Sequence, residues 1–84
     1  MNETMGQIIR RLRKERNLTQ EELAEQLNIT YQAVSRWEND TGMPDISQIV
    51  PLASVFGVTT DVLFNIAGTN ATDEAYRIVK EEYL

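Results

Sequence analysis

The sequence predicts an all-α protein, and two kinds of local signal predict it. Apolar residues recur at intervals of three and four along much of the chain, which is the spacing of one helical face. Threonines that can cap a helix precede several of these stretches, and asparagine or glycine follows them. No segment requires a β-strand. We therefore expect helices that are joined by short turns.

The first two helices are defined by an apolar face and by their ends. Residues 4 to 16 form a helix that Asn17 can end. Its core face carries Met5, Ile8, Ile9 and Leu12. Thr19 and Glu22 are spaced as a capping box, which begins a second helix. That helix ends at Asn28, because asparagine tolerates the left-handed backbone of a tight turn.

The third helix follows after a turn of only a few residues. Thr30 supplies its N-cap and places it at about residues 31 to 39. Val34 and Trp37 lie about 60° apart on a helical wheel and define the side that faces the core. The remaining sides are polar and carry Gln32, Ser35, Arg36 and Asn39, with Tyr31 at the leading end. These side chains could read base edges, although the same pattern also fits a solvated helix face.

The second half of the chain predicts three further helices. A loop over residues 41 to 44 precedes a fourth helix, whose apolar residues are Ile46, Ile49, Val50, Ala53 and Phe56. Pro51 within this pattern predicts a late start near Ser47 or a slight bend. Thr59 begins a fifth helix that carries Val62, Leu63, Ile66 and Ala67. Residues 68 to 71 form a linker to a sixth helix, whose apolar arc we expect to make a dimer contact.

Composition limits the chemistry that such a protein could perform. The 84 residues suffice for one small domain, and they include neither cysteine nor histidine. Thiolate zinc sites, disulfides and histidine-based triads or dyads are thereby excluded. We predict no catalytic residue, metal, cofactor or small-molecule ligand, and therefore no enzyme.

The charge is unevenly distributed. The formal net charge is −5, yet six of the eight basic residues lie in the first half: Arg10, Arg11, Arg13, Lys14, Arg16 and Arg36. Contact with phosphate depends on the local potential, because salt screens charges beyond about 10 Å. The acidic balance should therefore weaken DNA binding without excluding it.

Neither a signal peptide nor a membrane span is predicted. The charged N-terminus lacks an apolar run, and no stretch approaches the roughly 20 apolar residues of a transmembrane helix. We expect a cytoplasmic protein that does not bind membranes.

Two segments carry a resemblance to a known family. LTQEELAEQLNITYQAVSRWEN and PDISQIVPLASVFGVTTDVLF closely resemble lambda-repressor-like, Cro-type helix-turn-helix proteins of the XRE family. The resemblance covers roughly residues 5 to 66. It implies a compact five-helix DNA-binding domain over residues 1 to 67, followed by a linker and C-terminal amphipathic helix over residues 68 to 84. The implied function is a bacterial or phage-type transcriptional repressor that binds double-stranded DNA as a homodimer.

The resemblance also implies roles for individual residues. The residues that would read bases from the major groove are Tyr31, Gln32, Ser35 and Arg36. Those that would contact phosphate are Gln20, Thr30 and Asn39. Those that would support the third helix are Arg13, Glu38, Val34 and Trp37, with Arg13 and Glu38 bridging the first and third helices. An alternative is a protein-interaction module, such as an antitoxin or anti-repressor, that meets its partner through the acidic second half.

Overall fold

The computed structural model describes residues 3–64, which are helical over most of their length. The helices are α1 (Met5–Glu15), α2 (Gln20–Leu27), α3 (Tyr31–Glu38), α4 (Ile46–Phe56) and α5 (Thr60–Leu63). No strand occurs between residues 3 and 64, so the predicted all-α, five-helix fold is confirmed. The linker and sixth helix predicted for residues 68–84, and Ile66 and Ala67, lie outside the described residues.

Side-chain caps define the starts of the first helices. Thr19 Oγ accepts a hydrogen bond from the Glu22 amide at 3.0 Å, and the Glu22 carboxylate accepts one from the Thr19 amide at 2.8 Å. This confirms the predicted capping box of α2. Thr4 and Gln7 form a second capping box at α1, which was not predicted. Thr30 caps α3 by accepting from the Ala33 amide at 3.4 Å.

A three-residue turn sets α3 against α2. Asn28 ends α2 in the left-handed conformation, with φ 59°, as predicted. The amide of Ile29 then donates to the carbonyl of Ala24 at 2.9 Å, which closes the turn and satisfies one end of α2. Because the turn is tight, the start of α3 is fixed relative to α2.

One apolar core lies between the five helices. Its buried members come from every helix and include Ile8, Ile9, Leu12, Leu23, Ala24, Leu27, Val34, Trp37, Ile49, Leu52, Ala53, Phe56 and Leu63. α3 contributes Val34 and Trp37, so its inner side is anchored and its outer side is left to solvent. Within the described part of the chain, no helix has the length and apolar content needed to cross a membrane.

The fourth helix differs from the prediction in the face that it buries. Ile46 and Val50 were expected in the core, but they are 86% and 66% exposed, and Leu52 is buried instead. Pro51 predicted either a late start near Ser47 or a slight bend, and the helix begins at Ile46, one residue before Ser47. Asp45 caps it there by accepting a hydrogen bond from the Ile46 amide at 2.9 Å. Pro51 lies inside the helix. Because proline has no backbone N–H, one hydrogen bond to a carbonyl of the first turn is missing.

The fifth helix begins where predicted, but by a different means. Thr59 is its N-cap residue, yet the Thr59 side chain makes no capping hydrogen bond. Burial of Leu63 in the core holds this short helix in place.

Candidate nucleic-acid interface

α3 separates its residues into a buried side and an exposed polar side. Tyr31, Gln32 and Arg36 are exposed, and Ser35 is half-buried beside them. Asn39 follows as the exposed C-cap of the helix. The residues predicted to read bases are therefore brought together along one element, with Ser35 the least accessible of them.

α3 carries one exposed charge, that of Arg36. Its only acid, Glu38, is buried with a 7% exposed surface. The Arg36 guanidinium forms no ion pair with any residue between 3 and 64. The Arg36 backbone carbonyl accepts a hydrogen bond from the Thr41 amide at 3.0 Å. The exposed charge within α3 is therefore positive, and the first exposed acid beyond the helix is Asp40.

A buried ion pair supports α3 from the inner side. Arg13 of α1 donates from Nε to Glu38 Oε2 at 2.6 Å and from Nη2 to Glu38 Oε1 at 3.0 Å. The side chains are 11% and 3% exposed. Arg13 Nη1 also donates to the Leu18 carbonyl at 2.7 Å, in the connection between α1 and α2. The hydrogen bonds to Glu38 raise the pKa of Arg13 above its ordinary value, which keeps the guanidinium charged.

Gln20 joins this network from the start of α2. Its Nε2 donates to Glu38 Oε1 at 3.1 Å, and its side chain is half-buried. A carboxamide nitrogen carries two hydrogens, so one remains for a phosphate oxygen. Glu38 therefore connects α1, α2 and α3, and it orients the residue for which a phosphate contact was predicted. Nothing in the sequence pattern indicated this bond.

Thr30 and Asn39 lie at opposite ends of α3, and both are exposed. The Thr30 hydroxyl oxygen is occupied by the Ala33 amide, but its hydrogen is free to be donated. Thr30, Asn39 and Gln20 all carry neutral donors, which suit phosphate oxygens.

The basic cluster of α1 is largely engaged in intramolecular contacts. Arg13 pairs with Glu38, Arg11 pairs with Glu3 at 3.0 Å, and Arg16 donates to the carbonyl of Phe56 at the end of α4. Arg10 and Lys14 are exposed and form no ion pair within residues 3–64. Three of its five basic residues are therefore engaged by other groups of the chain, and of these Arg13 makes the buried contact.

A junction between α1 and the end of α3 was missed by the sequence analysis. Thr4 Oγ donates to Asp40 Oδ2 at 2.9 Å, and Gly6 lies directly against the Trp37 carbonyl and the Asp40 carboxylate. The signal that could have revealed it is a glycine inside a helical pattern, which often marks a close approach of another backbone. Among the described residues, no group of three or more candidate ligands is arranged to hold a metal ion.

Comparison with known families and proteins gives matches across this region. The family model described as "Helix-turn-helix" matches residues 9–63. The HTH-type transcriptional activator BcrR of Enterococcus faecalis is 40% identical over 57 residues, which cover 68% of this chain and 28% of BcrR. The HTH-type transcriptional regulator ImmR of Bacillus subtilis is 30% identical over 81 residues, which cover 93% of this chain and 64% of ImmR. The chain thus spans less than two thirds of either relative.

A solved structure shares the fold. The P22 c2 repressor, crystallised in complex with a synthetic operator, superposes with a TM-score of 0.71 at 26% identity. The match covers 74% of this chain and 94% of the repressor chain.

Proposed function

Because the chain belongs to the XRE-type helix-turn-helix family, we propose that it binds double-stranded DNA sequence-specifically and thereby regulates transcription. The observation that carries this proposal is the exposed polar face of α3, which includes Arg36 and is fixed from within by the Arg13–Glu38 pair. In this arrangement α3 enters the major groove while α2 crosses the phosphate backbone.

The residues of α3 divide the work of recognition. Gln32 suits the paired donor and acceptor of adenine, and Arg36 suits the two acceptors of guanine. Tyr31 and the half-buried Ser35 make smaller contributions to base preference, Tyr31 through contact of its ring with DNA and Ser35 through contact of its hydroxyl. Gln20, Thr30 and Asn39 position the helix through phosphates, without choosing the sequence.

Repression is the direction of regulation that we propose. Two matched proteins are repressors: the P22 c2 repressor, which was crystallised on an operator, and the immunity repressor of Bacillus phage phi105, which is 32% identical over 79 residues.

Replacement of Arg36 by alanine tests the reading role of α3. We expect a loss of about 1–3 kcal/mol in binding free energy on the best site and a relaxed preference at one base pair per half-site. The measurement is a binding titration against a duplex selected from a random pool and against its single-base variants. Gln32→Ala should give a comparable loss of preference at a different position.

Lys14→Ala is the matched control, because it removes one exposed positive charge from α1 and leaves α3 unchanged. It should alter binding slightly and equally on all sequences. If Arg36→Ala and Gln32→Ala both leave affinity and preference unchanged, the face is only solvated, and a protein-interaction module becomes the better explanation.

Dimerisation through the predicted sixth helix is a second part of the proposal. One recognition helix contacts few base pairs, so useful affinity requires two half-sites about 34 Å apart. The sequence places Ala75, Tyr76, Val79 and Tyr83 within a 100° arc that a helix would need to bury.

Deletion of residues 72–84 should therefore shift the protein toward monomer in sedimentation velocity experiments. Val79→Asp within the arc should have the same effect, whereas Glu81→Ala, on the opposite side of the predicted helix, should leave the dimer intact. A truncated chain that dimerises as tightly as the full chain would show that the interface lies elsewhere.

A further inference from the structure

Asp40 holds a negative charge in a fixed place at the C-terminal end of α3. Its Oδ2 accepts a hydrogen bond from Thr4 Oγ at 2.9 Å, which ties it to the N-terminus of α1. Its backbone is left-handed, with φ 58°, a conformation that residues other than glycine rarely adopt. Its amide donates to the Trp37 carbonyl at 3.1 Å. The side-chain hydrogen bond, the left-handed backbone and the amide hydrogen bond together fix the position of the carboxylate.

Asp40 is the residue next to the proposed phosphate contact of α3, Asn39. Asp40 is exposed and directly follows Asn39. The segment from residue 40 to residue 45 contains a second acid, Asp45, but no basic residue. Asp45 is occupied in capping α4, where it accepts from the Ile46 amide and the Ser47 hydroxyl. The charge of Asp40 is therefore not offset along this connection.

We propose that Asp40 lowers the affinity of the domain for DNA on every sequence. This inference rests on the proposed function, since it places the phosphate backbone near Asn39. A fixed negative charge at that place repels phosphate, and it acts independently of sequence because the carboxylate is held against α1 and not along the reading face. Occupancy of a site then depends more strongly on base contacts and on the pairing of two half-sites.

Asp40→Asn removes the charge and retains the local structure. The asparagine carboxamide keeps an oxygen that accepts from Thr4, and asparagine tolerates the left-handed backbone well. Two unit charges about 6 Å apart in water interact strongly enough to change affinity by about threefold per subunit. We therefore expect Asp40→Asn to tighten binding by about that factor, both on the selected duplex and on a mixed-sequence duplex of equal length. The gain should shrink as salt is raised, because salt screens the repulsion.

Asp61→Asn is the control for net charge, since it neutralises an acid of α5, a helix to which no DNA contact is assigned. It should give a much smaller gain than Asp40→Asn. Equal gains from the two variants, or no gain from Asp40→Asn at low salt, would overturn the inference. If Asp40→Asn unfolds more readily than the wild type, Asp40→Gly provides the second variant, because glycine adopts the same φ without strain.

Arg36→Ala, titrated on the same duplexes, separates this inference from the proposed function. If Arg36→Ala weakens binding and Asp40→Asn does not strengthen it, only the role of Asp40 is lost. If the wild type binds neither duplex, or Arg36→Ala and Gln32→Ala both bind as the wild type does, the proposed function fails, and the role of Asp40 fails with it.

Discussion

Glu38→Ala should lower the free energy of unfolding by about 3 kcal/mol, because it removes one partner of a buried ion pair and leaves the other uncompensated. Arg13, whose side chain is 11% exposed in the pair, would lose two of its three hydrogen bonds. Gln20 would lose the acceptor of its Nε2 at the same time. The check is a shift of the urea unfolding midpoint with an unchanged m-value.

Two further variants distinguish burial from charge. Glu15→Ala removes an exposed partner of Arg11, from a pair at 3.3 Å, and should cost less than about 1 kcal/mol. Arg13→Met combined with Glu38→Leu replaces both buried charges, so it should recover most of the loss caused by Glu38→Ala alone. An unfolding midpoint of Glu38→Ala equal to that of the wild type would show that the pair contributes nothing to stability.

The same variant bears on recognition, because Glu38 orients Gln20 at the start of α2. A freed carboxamide would sample several rotamers and would lose entropy on meeting a phosphate. We expect the defect in DNA affinity of Glu38→Ala to be similar on all sequences, unlike that of Arg36→Ala, which should depend on sequence.

The helices of the first half were predictable because their signals are local. A capping box needs only Thr19 and Glu22, three residues apart, and its hydrogen bonds form within one turn. The left-handed turn at Asn28 likewise depends on the conformational range of one residue. The division of α3 into Val34 and Trp37 inside and Gln32 and Arg36 outside follows from helical geometry alone.

The buried face of α4 was not predictable from periodicity, because two overlapping patterns fit the same segment. Ile46, Ile49, Val50 and Ala53 have the spacing of a helical face, and so do Ile49, Leu52, Ala53 and Phe56. Packing against the other helices selects the second set and leaves Ile46 and Val50 in solvent. The sequence of α4 alone does not indicate which of the two faces packs against the other helices.

Contacts between distant residues were also beyond the sequence patterns, except where a family resemblance supplied them. Thr4 and Asp40 are 36 residues apart, and their hydrogen bond depends on the crossing of α1 and α3. The pairing of Arg13 with Glu38 was implied only by resemblance, whereas the participation of Gln20 was not foreseen. The residues of the candidate interface were therefore predictable, but the hydrogen bonds that hold them in place were not.

The close approach of α1 to the end of α3 makes Gly6 the position least able to accept a side chain. A methyl group there would overlap the carbonyl oxygen of Trp37 and lie 2.6 Å from Asp40 Oδ1. Alanine is a better helix former than glycine by about 1 kcal/mol, which favours the substitution. The overlap opposes it, because relieving it requires α1 to move from α3, and overpacking of this kind costs about 1–3 kcal/mol or more.

We expect the steric effect to dominate, so that Gly6→Ala has a net destabilising effect of about 2 kcal/mol in urea unfolding experiments. The obstacle is a backbone oxygen that itself accepts the Asp40 amide at 3.1 Å, so it cannot move as the end of a flexible side chain would. Gly42→Ala is the matched control: its added methyl would lie 3.6 Å from Arg36 Cβ, an ordinary contact, and should change stability by less than about 1 kcal/mol. If Gly6→Ala proves as stable as Gly42→Ala, the backbones of α1 and α3 are not in close contact, and the role of the junction in placing α3 would have to be abandoned.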